Sequence, residues 1–213
     1  MKHQFWVGTV LAAMTACTSW GAEQTSPAKA PAVEKPASTS TNSAQAIIDA
    51  KDYTLPEVGT LHLSVPKTWR DSFKKTIEVG TRVEELKFQP REGNDFAILV
   101  AAIHMVDAGK VRDFDTRSAA LEGVKAELAG AVETALVPHD FKGAEVTGSY
   151  VDLTDKNISA TNPKPGEYKY LTQGYAKLSP IILTFRLLSN RPDGPEKAAL
   201  VQMIESARLT TDK

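Results

Sequence analysis

The stretch that decides the fold is FAILVAAI, residues 96–103, which contains no polar side chain. A strand of this composition is apolar on both faces, so each of its faces needs a covering layer. The stretch IILTFRLL, residues 181–188, has the same character because its apolar side chains point to both sides. The two stretches therefore predict two central strands of one sheet that is covered on both faces.

Further strands are predicted around this central pair. The stretch LHLSV alternates apolar and polar residues, as a strand with one solvated face does, and Pro66 ends it. Gly80 separates two other stretches as a plausible hairpin turn. Because strands joined by short turns pair side by side in opposite directions, an antiparallel sheet is expected. These predicted strands cover residues 61–65, 73–79, 82–89, 145–153 and 168–178.

Helices are predicted from the spacing of apolar residues. Residues 114–136 follow the 3.6-residue period, and Pro138 stops the pattern. A second amphipathic stretch covers residues 195–209, and a shorter one covers residues 44–51. These helices would supply the two layers that the central strands need. The predicted fold class is α+β, with an antiparallel β-sheet sandwiched between helices (αβα) in one domain of residues 46–213.

The N-terminus has the pattern of a bacterial export signal. Lys2 gives a short positive region, and residues 5–16 form an uncharged, mostly apolar stretch. This stretch is too short to cross a membrane, which takes about 20 residues, but it suits the apolar region of a signal peptide. Residues 1–16 are therefore predicted to direct export, and a buried N-terminal helix is the alternative.

Cys17 is the predicted lipidation site. Residues 14–17, Met-Thr-Ala-Cys, resemble a bacterial lipobox, with Met in the place of the usual Leu, and Cys17 is the only cysteine. An exported protein gains little from one unpaired thiol, which favours lipidation. Ordinary cleavage after Gly21 or Ala22 is the alternative. Thr18 follows the cysteine where an Asp would redirect sorting, so the expected location is the periplasmic side of the outer membrane, or the soluble periplasm without lipid.

Residues 17–45 are predicted to be a tether. Of the 28 residues from 18 to 45, 18 are Ala, Ser, Thr or Pro, and none is Leu, Ile, Phe or Met. A segment of this composition cannot bury a core, so we expect it to be disordered. As a flexible coil it would span roughly 30 Å on average, which would hold the domain beside a membrane.

Composition and motifs exclude several classes of function. The chain has 25 basic and 26 acidic residues, so it lacks the basic excess of a nucleic-acid-binding protein. One cysteine excludes an intramolecular disulfide and a cysteine-based zinc site. The chain contains no HExxH, GxSxG, GxGxxG or P-loop motif. No catalytic residue, metal or cofactor is therefore predicted.

The remaining polar candidates give weak signals for chemistry. The histidines of the predicted domain lie far apart in the sequence, which argues against a zinc site: His62, His104 and His139. A small group of metal-type ligands suggests calcium but lacks the Gly and Glu of an EF-hand loop: Asp152, Asp155 and Asn157. We expect His104 to lie at the edge of the core. We expect Asp152, Asp155 and Asn157 to be solvated turn residues.

One basic cluster with an aromatic residue inside it is the candidate binding patch. An exposed Trp69 would allow the patch to hold an anionic partner. A buried Trp69 would leave the cations as a solvated rim, and this is the favoured interpretation. The patch comprises Lys67, Trp69, Arg70, Lys74 and Lys75.

The sequence also resembles a known family. A strand, a proline and a tryptophan in the order Gly59-x-Leu61-x-Leu63-x-Val65-Pro66-x-x-Trp69 resemble the opening of the PsbP/DcrB-like superfamily. A late strand at residues 183–185 and a terminal helix ending at residues 204–209 resemble the C-terminal part of the same superfamily. The resemblance covers residues 53–210. It implies a helix–sheet–helix sandwich used mainly for binding, and it brings no catalytic residue.

Two functions follow as hypotheses. The first is a non-catalytic envelope lipoprotein that binds an envelope protein partner, or helps to assemble one, while its N-terminal lipid anchors it to the membrane. The second is a periplasmic small-ligand binder or hydrolase whose site is built from residues distant in sequence. An exposed apolar or aromatic patch would favour the first, and a deep pocket with convergent polar groups would favour the second.

Overall fold

A computed structural model of the protein describes residues 48–78, 81–105, 108–159 and 161–211. These residues belong to one compact unit, Ala46–Lys213. The predicted signal peptide, Cys17 and the predicted tether lie outside the described residues.

The elements are β1 Ile48–Leu55, β2 Gly59–Pro66, β3 Trp69–Glu78, β4 Thr81–Pro90, β5 Phe96–His104, α1 Ala108–Arg112, α2 Thr116–Gly123, a 3-10 helix Glu127–Gly130, β6 His139–Lys142, β7 Thr147–Thr154, β8 Tyr170–Leu178, β9 Ile181–Ser189, α3 Pro195–Glu205 and β10 Arg208–Thr210.

The strands form two antiparallel sheets. The larger has seven strands in the order β3-β4-β5-β9-β8-β7-β6, and the smaller has three in the order β1-β2-β10. The predicted central strands, β5 and β9, pair with each other from Phe96↔Ser189 to His104↔Ile181. Their central position is confirmed, and it explains why these two stretches are apolar on both sides.

The predicted sandwich of a sheet between helices is wrong. Strands take up 49% of the described residues and helices only 18%. One face of the large sheet, here called the inner face, packs on the small sheet together with α3. The opposite, outer face is partly covered by α1, α2 and the 3-10 helix. The central strands are thus covered on both sides, but a second sheet provides much of the cover that helices were expected to provide.

The first predicted helix, residues 44–51, is also wrong where the structure describes it. Ile48 begins β1, and β1 pairs with β2 along its whole length, from Ile48↔Pro66 to Leu55↔Gly59. The buried positions of β1 are Tyr53 and Leu55, which have the two-residue period of a strand. Pairing with a neighbouring strand therefore outweighs the helical propensity of the alanines in this stretch.

The long helix predicted over residues 114–136 is reduced to α2 and a short 3-10 helix. Asp115 caps α2 by accepting hydrogen bonds from the N–H groups of Arg117 and Ser118, and the hydrogen bonds from Ser118 lower the pKa of the Asp115 carboxyl. Beyond the 3-10 helix the chain leaves helical geometry, because Val132 N–H donates to the Thr154 carbonyl at 2.8 Å. Backbone bonds to β7 therefore replace the last predicted helical turns.

The last predicted helix, residues 195–209, ends early. Helix α3 stops at Glu205, and Arg208–Thr210 pairs with β2 as β10. Leu200, Met203 and Ile204 of α3 are fully buried in the core between the large and small sheets. The prediction of a helix is therefore confirmed for residues 195–205, while residues 208–210 complete the small sheet.

Candidate functional site

The candidate binding patch is divided between the two faces of β3. Trp69 points to the inner face, where it is only 6% exposed, and its ring centroid lies 5.2 Å from Phe96 and 6.2 Å from Phe88. Lys67 is exposed in the turn before β3, and Arg70 and Lys74 are exposed on β3 itself. Lys75 belongs to β3, but its side chain lies outside the described part of the structure. Trp69 is thus a core residue, and the cations around it lie at the surface.

Strand register brings further polar residues to Arg70 and Lys74. Alternation along β3 places these two side chains and Ser72 on the outer face. Lys87 on β4 lies directly opposite Ser72, and it is exposed. Gln89 lies opposite Arg70 and accepts a hydrogen bond from its guanidinium at 3.2 Å. Glu85, which is half-buried, lies opposite Lys74 on the same face. We call the outer-face cations Arg70, Lys74 and Lys87 the basic face.

A strip of apolar residues lies beside the basic face. On β5, Leu99 is opposite Lys87, and Ala97 is opposite Leu188 of β9. Leu99, Ala97 and Leu188 are half-buried on the outer face. Helices α1 and α2 pack mainly on β7 and β8. The outer face towards β3 therefore presents cations next to a partly accessible apolar strip.

The basic face reaches the end of the large sheet. β3 is the end strand, and it pairs with β4 over ten residues without a bulge. Arg70, Ser72 and Lys74 are exposed on the outer face, whereas Asp71 and Phe73 on the inner face are partly covered by β1. The end strand at the other side, β6, has only four residues. Long end strands are the places where another chain can pair.

Contacts with β1 hold the inner side of β3 in place. The Tyr53 hydroxyl donates to an Asp71 carboxylate oxygen at 2.8 Å, and Lys51 lies 3.4 Å from the other oxygen. Burial together with the neighbouring Asp71 raises the pKa of Tyr53 far above its ordinary value, so Tyr53 stays a hydrogen-bond donor at all physiological pH values. Phe73, 37% exposed, packs against Tyr53 with the two rings tilted and their centroids 5.9 Å apart. β3 therefore presents its outer face from a fixed backbone.

A second polar cluster surrounds Asp152 on β7. Lys197 of α3 lies 2.8 Å from one carboxylate oxygen of Asp152, and the Thr172 hydroxyl donates to the other at 2.5 Å. His139 lies 3.9 Å from the oxygen that binds Lys197 and stacks on Tyr150. Both carboxylate oxygens thus have donors from the chain itself. The cluster fastens the first turn of α3 to the sheet.

A small cavity adjoins this cluster. Its volume is about 180 Å³, and its walls include Thr172, Ser189, Arg191 and Lys197. Ligand sites of drug-sized molecules measure several hundred Å³. Ser189 donates to Glu196 at 2.5 Å, and Arg191 forms an ion pair with Asp95, so these lining groups are also engaged within the chain. The cavity is smaller than the deep pocket that would favour a small-ligand binder.

On the small sheet, a carboxylate contacts an imidazole, and the imidazole contacts a hydroxyl. His62 Nδ1 is 2.7 Å from Asp52 Oδ1, and His62 Nε2 is 2.8 Å from the Thr210 hydroxyl. This order of groups is that of an acyl-transfer triad. Here, however, the side chains of His62 and Asp52 are 38% and 68% exposed, and the cavity near Asp152 lies elsewhere. A triad needs donors for the oxyanion and a site that excludes water. We therefore interpret the three residues as a link across β1, β2 and β10.

The structure agrees with the predicted positions of only some of the remaining polar candidates. His104 is the last residue of β5 and is half-buried, at the core edge as predicted. Asp152 lies in β7 and not in a turn, which corrects that prediction. Asp155 forms a turn, since its carboxylate accepts from the N–H groups of Asn157 and Ile158. Within the described residues, no group of three or more His, Cys, Asp or Glu side chains could hold a metal ion.

Lys87 is the residue of the basic face that sequence reasoning missed. It lies 13 positions after Lys74 along the chain, in a different strand, so no local cluster reveals it. The signal that could have found it is the hairpin itself. β3 and β4 pair residues whose numbers sum to 159, which places Lys87 opposite Ser72, and the predicted turn residue Gly80 lies outside the described residues.

Neither protein-family models nor curated proteins give a match. The resemblance to the PsbP/DcrB-like superfamily thus stays a prediction. Among the described residues, no helix combines the length and the apolar character that spanning a membrane requires.

Proposed function

We propose that the chain is a non-catalytic module of the bacterial cell envelope that binds an acidic protein partner through the basic face. The observation that carries this proposal is the exposure of Arg70, Lys74 and Lys87 together on the outer face, at β3 and β4, which end the large sheet among the described residues. Cations grouped in this way attract an acidic surface, raise the rate of association and repel basic proteins. The half-buried strip at Ala97 and Leu99 supplies apolar area beside them.

The predicted N-terminus completes this proposal. Residues 1–16 direct export, lipid on Cys17 holds the protein at the membrane, and residues 18–45 give the domain a reach of roughly 30 Å. A binding module on such a tether can search for an envelope partner close to the membrane. Around Asp152, and separately around His62, the polar groups form hydrogen bonds within their own cluster, which supports a binding role over a catalytic one.

Reversing the charge of the basic face is expected to abolish partner capture. In the triple variant Arg70→Glu, Lys74→Glu and Lys87→Glu, an acidic partner meets three anions in place of three cations, and its yield should fall at least about tenfold, which corresponds to about 1.4 kcal/mol. The tagged full chain is crosslinked in intact bacterial cells, recovered from the envelope fraction and compared with wild type by quantitative mass spectrometry.

The matched control has the same change of charge on a different surface. Arg112→Glu, Lys125→Glu and Lys164→Glu replace three exposed cations in exposed ion pairs, which contribute little to stability. This control should keep the partner. Equal partner yield from both triple variants would contradict the proposal. Hydrolysis of a chromogenic ester by the wild type, lost in His62→Ala, would instead favour the hydrolase.

Replacing the predicted lipidation site should release the protein from the membrane. The variant Cys17→Ser cannot be acylated, so we expect it to move from the membrane fraction to the soluble fraction, because one or more acyl chains supply the membrane affinity. Cell fractionation and immunoblotting measure the distribution, with Thr18→Ser as the control that should stay at the membrane. A wild type that is already soluble, or a Cys17→Ser variant that remains bound, would favour ordinary cleavage after Gly21 or Ala22.

A further inference from the structure

We propose that the partner binds as an extended acidic segment that pairs with β3 and becomes an eighth strand of the large sheet. The inference rests on the proposed function, because it specifies how the basic face recognises its partner. In this mode of binding, main-chain hydrogen bonds supply affinity, and alternate side chains supply specificity. The segment is recognised by its alternation, with acidic residues over the outer face and apolar residues over the inner face.

The backbone of β3 is suited to receive another strand. Its ten residues pair with β4 in an unbroken register, from Trp69↔Pro90 to Glu78↔Thr81. In an antiparallel sheet, every second residue of an end strand directs its N–H and C=O groups away from the sheet. β6 and β10, which are also end strands, have four and three residues and offer a much shorter edge.

The charges on β3 select the occupant of this edge. Arg70 and Lys74 lie four residues apart on the outer face, which is about 13 Å along a strand. Residues spaced by four in a paired segment have the same separation, so two of its acidic side chains would lie opposite these cations. The same cations repel a second copy of β3, so the edge favours an acidic strand over self-association. β3 carries Arg70, Lys74 and Lys75 against Asp71 and Glu78, a net charge of +1, whereas the remaining long end strand, β1, carries Lys51 against Asp49 and Asp52, a net charge of −1.

The inner side of β3 selects apolar residues. Phe73 is 37% exposed beside Tyr53, and a paired segment would place an apolar side chain next to it. Asp71 on the same side already binds Tyr53 and Lys51. The edge is thus held in one conformation before binding, which reduces the entropy that is lost when a partner pairs with it.

The experiment uses defined peptides and the full chain. The probe is a fluorescein-labelled peptide of eight residues that alternates Glu and Val, and its binding is measured by fluorescence anisotropy. A second peptide has the same side chains but N-methyl groups on alternate residues, which removes the N–H donors of one edge. A third has Lys in place of Glu. Hydrogen exchange of the β3 amides is measured with and without each peptide.

Strand addition gives a distinct set of results. The Glu–Val peptide should bind and slow exchange of alternate β3 amides at least about fivefold. N-methylation, replacement of Glu by Lys, and the protein variant Arg70→Glu with Lys74→Glu should each weaken binding at least about tenfold. The protein variant Lys125→Glu with Lys164→Glu should bind the Glu–Val peptide as the wild type does.

Other results overturn the inference and separate it from the proposed function. Equal binding of the N-methylated peptide would mean that the basic face binds by charge alone, so strand addition fails while the proposed function stands. Binding of anionic phosphatidylglycerol vesicles without binding of the Glu–Val peptide would assign the face to lipid. Absence of all binding, with cellular capture still sensitive to the triple variant, would overturn strand addition only. If the triple variant also captures the partner normally, both proposals fail.

Discussion

Trp69→Ala is expected to lower the free energy of unfolding by about 3–5 kcal/mol. Trp69 is 6% exposed, and its ring contacts Phe88 of β4 and Phe96 of β5 at the end of the core between the two sheets. Truncation removes this aromatic surface and leaves a cavity between strands that are paired along their length and cannot close fully around it. The effect acts through packing and not through the partner.

Urea denaturation followed by circular dichroism measures this loss. Arg70→Ala is the matched control, because Arg70 is the next residue on the same strand but is exposed on the outer face, and its effect should stay within about 0.5 kcal/mol. Trp69→Phe, which keeps an aromatic ring, should fall between the two. If Trp69→Ala left stability unchanged but reduced partner capture, Trp69 would belong to the binding surface and the assignment of the core here would be wrong.

Gly143→Ala is expected to destabilise the protein by about 3 kcal/mol, the upper part of the range for overpacked sites. A β-carbon at this position would lie 1.8 Å from the carbonyl oxygen of Glu205, the last residue of α3. Both colliding groups are held by the main chain, so no side-chain rotation relieves the overlap. The Gly143 N–H also donates to the Val146 carbonyl, which fixes the turn between β6 and β7. The substitution must push this turn away from α3.

Gly130→Ala provides the control for the Gly143 substitution. A β-carbon at Gly130 would meet no atom within 4 Å, so this variant should differ from wild type by no more than about 0.5 kcal/mol. Thermal and urea denaturation of both variants give the comparison. A Gly143→Ala variant as stable as Gly130→Ala would show that the turn can move freely, which contradicts the close packing of β6, β7 and α3.

The strands were predictable where their own composition demands burial. Residues 96–103 contain no polar side chain, and residues 181–188 have apolar side chains on both sides, so both stretches are stable only in the middle of a covered sheet, whatever the connections around them. The helices were less predictable. Residues 114–136 have a helical period, yet Val132 and Glu133 bond to Thr154 of β7, and this partner is distant in sequence. Local periodicity cannot report a competing backbone partner.

The candidate site, like the fold, was predictable from the sequence only in part. The cations Lys67, Arg70 and Lys74 are close in sequence, so their grouping was visible from the start. Trp69 lies among them in sequence but on the opposite face of β3, because successive side chains of a strand alternate. Lys87 joins them only through pairing with β4. Register and orientation, which decide what a surface presents, depend on contacts between strands.

Composition and alternation alone were thus enough to find the central strands, and they also predict an export signal and a tether, since each of these depends on the side chains of one continuous stretch. Only the tertiary structure decided that a three-stranded sheet covers the inner face, that residues 208–210 return as a strand, and that the basic face lies on β4 and on β3, the end strand of the described large sheet. The physical reason is that these features come from hydrogen bonds and packing between distant segments. Such contacts form once the whole domain has folded, and no single stretch of the chain contains both partners.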